Sequence, residues 1–450
     1  MVNQVFKIFV VVVVLALASC SGKKATQVEQ PKTNVKKVSI AEIESGIKDF
    51  IQRETEANDG YFHVEDKGTE YKMKLVRVHT EYLSNLGPNR HFACVDLADI
   101  SGDVYDVDFF LEGQPGDMNV TQTSVHKLNG KPFYAWKQKS DKTWDRVPVK
   151  GASTRLLGVI EGSDAFEFYY RVELPELKEK AKMWIPIATS DDYQSIEIIS
   201  TEAPVEYELL QDKVFNNTIM YLQPDVAHSK KTVEIVYKVQ RSEKGPIAET
   251  APVHEMYLAE NRLMPVGGRF ATIANETIKG RDGSDLIKAR ALYDYVIDNM
   301  RYMKFGNYGN GDANYACDVK TGNCTEFHSY FISLARSIGI PARFAVGASI
   351  PSERNDGGID GYHCWAEFYA EGKWWPIDIS EGNKYTALAT YYFGHHPANR
   401  IEFSRGRDLQ VDPGPASGSI NFLAYPILEI NGKEIATKTT FSFKRPDSPA

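Results

Sequence analysis

Apolar positions along the chain follow two periods. Over residues 327–338 they recur at Phe327, Tyr330, Phe331, Leu334, Ala335 and Ile338, the i, i+3, i+4 spacing of a helix with one buried face. Gly339 and then Pro341 follow the last of these and mark the helix end. At the other end Asn323 is suited to cap free N–H groups, and Glu326 stands where a capping box needs it. The pattern predicts a helix that opens at Cys324. Leu286, Ala289, Leu292, Tyr293, Val296 and Ile297 predict a second helix, ending near Met300. Ile40, Ile43, Ile47, Phe50 and Ile51 predict a third.

Elsewhere the period is two. Runs from Tyr71 to Val78, His91 to Leu97 and Asp103 to Leu111 read as strands between Gly and Asn turns, as do Phe166 to Val172 and Thr232 to Val239. Two aromatic-rich runs, Gly361 to Tyr369 and Lys373 to Asp378, read as a β-hairpin. With Glu371-Gly372 as a two-residue loop, Ala370 pairs with Lys373 and Trp365 lies opposite Asp378. His363 shares a face with Trp365, so His363 and Asp378 become diagonal neighbours. Cys364 points to the opposite face, where core packing is its expected role. The Gly- and Asn-rich stretch 306–314 reads as a loop ahead of Cys324.

These patterns divide the chain. Residues 38–148 read as a small α+β domain and 150–255 as a β-sandwich. Residues 256–412 hold helices followed by the hairpin, and 413–450 read as a C-terminal β-hairpin around Asn431-Gly432. Ahead of them, Lys7 precedes an apolar run from Ile8 to Ala18, the length of a signal-peptide core and too short to span a membrane. Leu17-Ala18-Ser19-Cys20 resembles a bacterial lipobox. That implies a signal peptide over 1–19, lipid attachment at Cys20, a polar tether over 20–37 and a place in the cell envelope, with Ser21 leaning toward the outer membrane.

Composition narrows the function. A hydrophobic content of 42% with 12% aromatics suffices for several packed cores. The formal net charge of -8, with no basic domain, argues against a nucleic-acid partner. Nucleotide and phosphate motifs are absent, Gly267-Gly268 being too weak to count, and no cofactor is expected. His79, His91 and His126 share no short ligand spacing and read as edge histidines on separate strands, so no metal is expected. The Asx residues of 306–314 lack the spacing of a calcium loop.

The chemistry concentrates at Cys324. A cysteine in the first turn of a helix meets unpaired N–H groups and the positive dipole end, which favour a thiolate. A thiolate needs a base and an orienting group for acyl transfer, and the hairpin offers His363 and Asp378. Gly322-Asn323-Cys324, the run from Leu334 to Arg343, His363-Cys364-Trp365-Ala366-Glu367 and Trp375-Pro376-Ile377-Asp378 together resemble the transglutaminase-like superfamily, a papain-like group of Cys-His-Asp enzymes. The resemblance covers roughly residues 256–412. It implies an α+β fold with a helix carrying the cysteine packed on an antiparallel sheet. It also implies a nucleophile at Cys324, a base at His363 and a carboxylate at Asp378. The flanks 394–397 and 404–408 look like those of secreted bacterial members. The expected activity is hydrolysis of peptide or isopeptide bonds in a peptide or protein substrate through a thioester. The alternatives are glutamine–amine crosslinking and a non-catalytic binding lipoprotein.

Other arrangements of the same residues bear on this reading. A disulfide between Cys317 and Cys324, favoured by an oxidising compartment, is the rival to a nucleophile at Cys324. His328, four residues after Cys324 on the same helix face, would allow a zinc site with His363; a packed polar residue behind the nucleophile is the plainer role. His395 and His396 read as loop. Trp365, Trp374 and Trp375 read as core.

Overall fold

The computed structural model describes residues 38–446, apart from 67–68, 88, 139–143, 149–157, 251, 282, 305 and 385–387. The signal-like stretch 1–19, Cys20 and the tether 20–37 lie outside the described residues. Among the described residues, no helix is long and apolar enough to cross a membrane.

The N-terminal helix Ile40–Ala57 buries Ile43, Ile47 and Ile51. It packs on an antiparallel sheet in which Thr69–Val78, Arg90–Asp99, Val104–Gln114 and Asp117–Leu128 lie side by side. Val95, Leu97, Val107 and Phe109 face that helix in one core. The opposite face turns to the helix Asp285–Asn299: Val76, Ala98 and Val104 join the core that also holds Leu292, Tyr293 and Phe327, and Arg290 Nη2 lies 3.2 Å from Asp96 Oδ2.

Two five-stranded sheets follow. Phe168, Tyr170, Tyr237 and Phe441 of one and Met183, Ile185, Met220 and Leu428 of the other share a single core, as a sandwich requires. The C-terminal tail makes the hairpin its sequence predicts around Asn431-Gly432, added to one of the two sheets, but with a short second arm. Ile427–Ile430 turns back on Lys433–Glu434 around Asn431-Gly432. The last strand, Lys438–Lys444, then crosses to the other sheet and pairs with Ser163–Glu173. Its alternating Phe441 and Phe443 supply buried rings to the sandwich core, and that burial favours the crossing over a longer local hairpin.

The central sheet runs in the order Ile247–Ala248, Lys373–Ile377, His363–Ala370, Ala342–Ser349, Arg400–Arg405. The helix Cys324–Ser337 lies against it and is buried almost along its whole length. Phe327, Tyr330, Phe331 and Leu334 meet Cys364, Ala366 and Phe368 of the sheet. Ala370 pairs with Lys373 and Ala366 with Ile377, so Glu371-Gly372 is the two-residue loop. Positive φ at both (52° and 75°) is the backbone of a type I′ hairpin turn, whose twist suits the strands.

Segments exchange between the domains. Asp356–Ile359 leaves the central region to pair with the last strand of the sandwich. Buried Lys244 and half-buried Arg343 both bind Glu367 of the central sheet.

Candidate active site

The helix that carries Cys324 opens with the capping box its sequence predicts. Asn323 Oδ1 accepts the Thr325 N–H at 2.8 Å, and Glu326 Oε2 accepts the Asn323 N–H at 3.0 Å. Glu326 does more than cap. Its other oxygen accepts the N–H groups of Gly309 and Gly311, each at 2.8 Å. One buried carboxylate thus straps the 306–314 loop to the helix start. Burial raises its pKa above the ordinary carboxylate value, against the pull of the N–H donors from Asn323, Gly311 and Gly309. Glycine at 322 makes room for it, since a Cβ there would stand 2.4 Å from Glu326 Cβ.

Cys324 is 2% exposed and shares hydrogen bonds with His363 and Cys364. His363 begins its strand, and its Nε2 donates to Asp378 Oδ2 at 2.7 Å. Asp378 follows the next strand, as the hairpin register requires. With Nε2 on the carboxylate, Nδ1 is the ring nitrogen that serves the thiol. The three residues predicted from sequence are therefore brought together. Burial opposes ionisation of Cys324, but hydrogen bonds from Cys364 and His363 and the His363 charge hold its thiol well below the ordinary value. Burial likewise lowers His363, yet Asp378 and Cys324 carry it up to about 9. Asp378 is held well below the usual carboxylate range: burial opposes its ionisation, and the charges of His363 and Arg400 outweigh that. The result is a thiolate–imidazolium pair backed by a carboxylate.

His328 stands behind Cys324 rather than beside it. Its Nε2 accepts the Ile379 N–H at 3.1 Å, which leaves Nδ1–H to donate to Cys324 O at 2.7 Å. Burial lowers its pKa, so it is a neutral ring spanning the helix start and the segment after Asp378. Both ring nitrogens are engaged by backbone, and a zinc site with Cys324 and His363 is not formed. Cys317 and Cys324 are both free thiols. Cys364 packs in the core, as the strand parity predicts. That face is the one onto which the helix start is packed. Its thiol therefore reaches Cys324 and lies 3.6 Å from His328 Nδ1. His395 and His396 lie in a loop, as the sequence indicates, and both are buried there: His395 pairs with Asp103 at 3.4 Å, and His396 donates to Ile377 O at 3.1 Å.

Residues 271–379 match the family model of the transglutaminase-like superfamily, a span that contains Cys324, His363 and Asp378. That segment belongs to the transglutaminase-like superfamily. The chain is also 23% identical over 350 residues to an uncharacterized protein of Haemophilus influenzae, covering 65% of this chain and 93% of that one. Among solved structures, it is similar to a candidate cysteine protease from Cytophaga hutchinsonii at 17% identity and a TM-score of 0.43, over 64% of this chain and 93% of that one. A candidate protease from Parabacteroides distasonis matches at 12% identity and a TM-score of 0.23, over 64% and 63% of the two chains. Neither superposition is close enough to add to the geometry.

The transglutaminase-like domain holds further site residues that sequence reasoning missed. Arg400, buried in the edge strand, places Nη2 2.5 Å from Asp378 Oδ2 and stacks its guanidinium 4.9 Å over Trp365. Ser380 Oγ and the Glu381 N–H donate to Asp378 Oδ1 at 2.9 and 3.0 Å. Tyr362 accepts from Asn323 Nδ2 at 3.2 Å and donates to Gly309 O at 3.3 Å, closing the loop against the helix cap. Arg400 had no signal beyond its place after the hairpin, whereas Tyr362 adjoins His363 and was within reach of the motif. A cleft of about 780 Å³ opens over Cys324 and His363. Tyr302, Tyr308, Arg354, Glu381 and Lys384 stand in its walls, so the surface offered to a substrate is polar and of mixed charge.

Proposed function

We propose that the transglutaminase-like domain cleaves amide bonds of peptides or proteins through a thioester on Cys324. The observation that carries this reading is the His363 Nε2–Asp378 Oδ2 hydrogen bond of 2.7 Å, made by a ring whose other nitrogen meets a thiol at a helix start. The thiolate attacks the carbonyl carbon. His363 then gives its proton to the leaving amine, and Asp378 keeps the ring in the orientation that allows it. Water, deprotonated by the now neutral His363, resolves the thioester and regenerates the pair. Cys324 is the first helical residue, so its N–H has no partner within the helix and is a donor for the developing oxyanion. The Tyr302 phenol stands in the same cleft and is our candidate for a second donor. Burial and the Cys324 charge keep it protonated.

Hydrolysis is favoured over amine transfer by the polar cleft, which admits water to the thioester. Incubation with a quenched-fluorescence peptide library, with and without a primary amine, tests the choice. Cleavage lost in Cys324→Ala supports the reading, and amine incorporation without cleavage would support crosslinking. A folded, reduced protein with neither activity would leave the binding reading. We further propose that the enzyme works at the cell envelope, tethered through lipid on Cys20. Replacing Cys20 with Ala should then move the protein out of the membrane fraction.

A further inference from the structure

The N-terminal sheet carries a set of buried ligand-type side chains that amide chemistry does not use. Cys94 and Asp96 alternate along one strand, and Asp106 and Asp108 along the next. Their register sets Cys94 opposite Asp108 and Asp96 opposite Asp106, so the period of two puts all four on one face. On the third strand a register shift between Asp106 and Val107 leaves His126 as the extra residue of a bulge, a device that re-aims side chains. His79 enters from the end of Thr69–Val78, its N–H bound to Cys94 O at 2.9 Å. The meeting point is Asp106. Its Oδ1 is 2.7 Å from Cys94 Sγ and 3.9 Å from His126 Nδ1, and His126 Nδ1 is 3.6 Å from Asp108 Oδ2. Ligand atoms of His79, Cys94 and Asp106 lie within 4.8 Å of one another, as do those of Asp106, Asp108 and His126.

We propose that this cluster binds a divalent transition-metal ion of the zinc class, taken by His79, Cys94 and Asp106. A thiolate, an imidazole and a carboxylate together suit zinc rather than calcium or magnesium, which prefer all-oxygen sets. The surroundings are those of oriented ligands. His79 Nε2 lies 3.0 Å from Asp96 Oδ1, and Arg290 holds the other oxygen of Asp96 at 3.2 Å. Lys127 Nζ holds Asp106 Oδ2 at 2.6 Å. Carboxylates behind histidines and cations behind carboxylates fix metal ligands in this way. The ion pairs alone account for Asp96, Arg290 and Lys127, but they give no part to Cys94. On binding, the ion replaces the thiol proton that Cys94 shares with Asp106 Oδ1. A sulfur–metal bond forms, and the proton passes to solvent. Asp108 and His126, on the other side of Asp106, are the nearest groups for the remaining position. Because Arg290 belongs to the helix Asp285–Asn299, an ion here would brace the N-terminal sheet against the transglutaminase-like domain.

Spacing along the sequence could not reveal the set, since its members come from three separate strands and the turn that follows a fourth. The test uses the full chain carrying Cys324→Ala, reduced, so that the active-site thiol takes no part. Titration with Co²⁺ should give a thiolate-to-cobalt charge-transfer band that saturates near a single equivalent, and Zn²⁺ should abolish it by competition. The band should persist when Cys20, Cys317 and Cys364 are also changed to Ser, and vanish in Cys94→Ser and Asp106→Asn with an unchanged far-ultraviolet circular dichroism spectrum. A folded parent chain that takes up no Co²⁺ would overturn the proposal. So would a band that survives Cys94→Ser. Should Cys94→Ser fail to fold, the chain lacking the other core thiols decides: a band there supports Cys94, and none refutes it.

Discussion

Arg400 and His363 converge on one oxygen: Asp378 Oδ2 is 2.5 Å from Arg400 Nη2 and 2.7 Å from His363 Nε2. The carboxylate is fully buried, and a buried carboxylate with a single cationic partner would be poorly held. Arg400 keeps it ionised and in place, so that the imidazolium has a fixed counter-charge when the thioester forms. Arg400 is a positioning residue, because it acts through Asp378. Arg400→Gln should lower kcat by on the order of 100-fold, the scale of a misplaced catalytic group, with KM little changed. The pH profile should lose its alkaline limb near the wild-type position. Steady-state kinetics on a peptide substrate checks both readouts, and a loss confined to KM would count against the assignment.

Glu326 is the strap between the helix start and the cleft loop. Glu326→Ala leaves the N–H groups of Gly309, Gly311 and Asn323 without this acceptor. A cost of about 2–4 kcal/mol in stability is expected from that loss, measured by denaturant unfolding. Limited proteolysis should find a new cut within 306–314. An intact loop in the variant would show that other contacts hold it.

Glu367 lies between Lys244 and Arg343, and both it and Lys244 are buried. Removing the carboxylate strands two cations, so Glu367→Ala should cost about 3–5 kcal/mol. Burial opposes its ionisation, but Arg343 and Lys244 hold its folded pKa well below the ordinary value. Its contribution is therefore complete above the unfolded value of about 4.3. It is lost as pH falls through the lower folded value. Acid unfolding of the wild type should steepen as pH falls below about 4.3, the unfolded value, and Glu367→Ala should flatten it.

Much of this was legible in the chain, and the reasons differ by residue. Asn323, Glu326 and the stripe from Phe327 to Ile338 act locally, so the helix and its start could be read from spacing. The hairpin parity that joins His363 to Asp378 depended on a two-residue loop, and Glu371-Gly372 adopts it. Arg400 was not legible, because it reaches Asp378 from a strand placed by the sheet order and not by local pattern. Cys364 was assigned the correct face, but what covers that face is set by how the helix docks. The same limit hid the His79, Cys94 and Asp106 cluster, whose histidine looked like an edge residue until neighbouring strands were laid beside it. In the tail the turn at Asn431-Gly432 was legible and forms a hairpin, but the last strand was not, because Phe441 and Phe443 are better buried in the sandwich than in a longer local pair.

Iodoacetamide labelling of Cys324 as a function of pH, on reduced soluble protein beginning after Cys20 and with peptide mapping of the product, tests the central claim most directly. The thiol is held well below its ordinary value, while His363 is pushed up to about 9. Labelling should therefore already be fast and level at neutral pH and change again only near pH 9, as the imidazolium loses its proton. In His363→Ala the labelling curve should move up toward an ordinary thiol, about 8.5. A wild-type curve that rises only through the ordinary thiol range, unchanged in His363→Ala, would contradict the thiolate–imidazolium pair and with it the amide-cleaving mechanism.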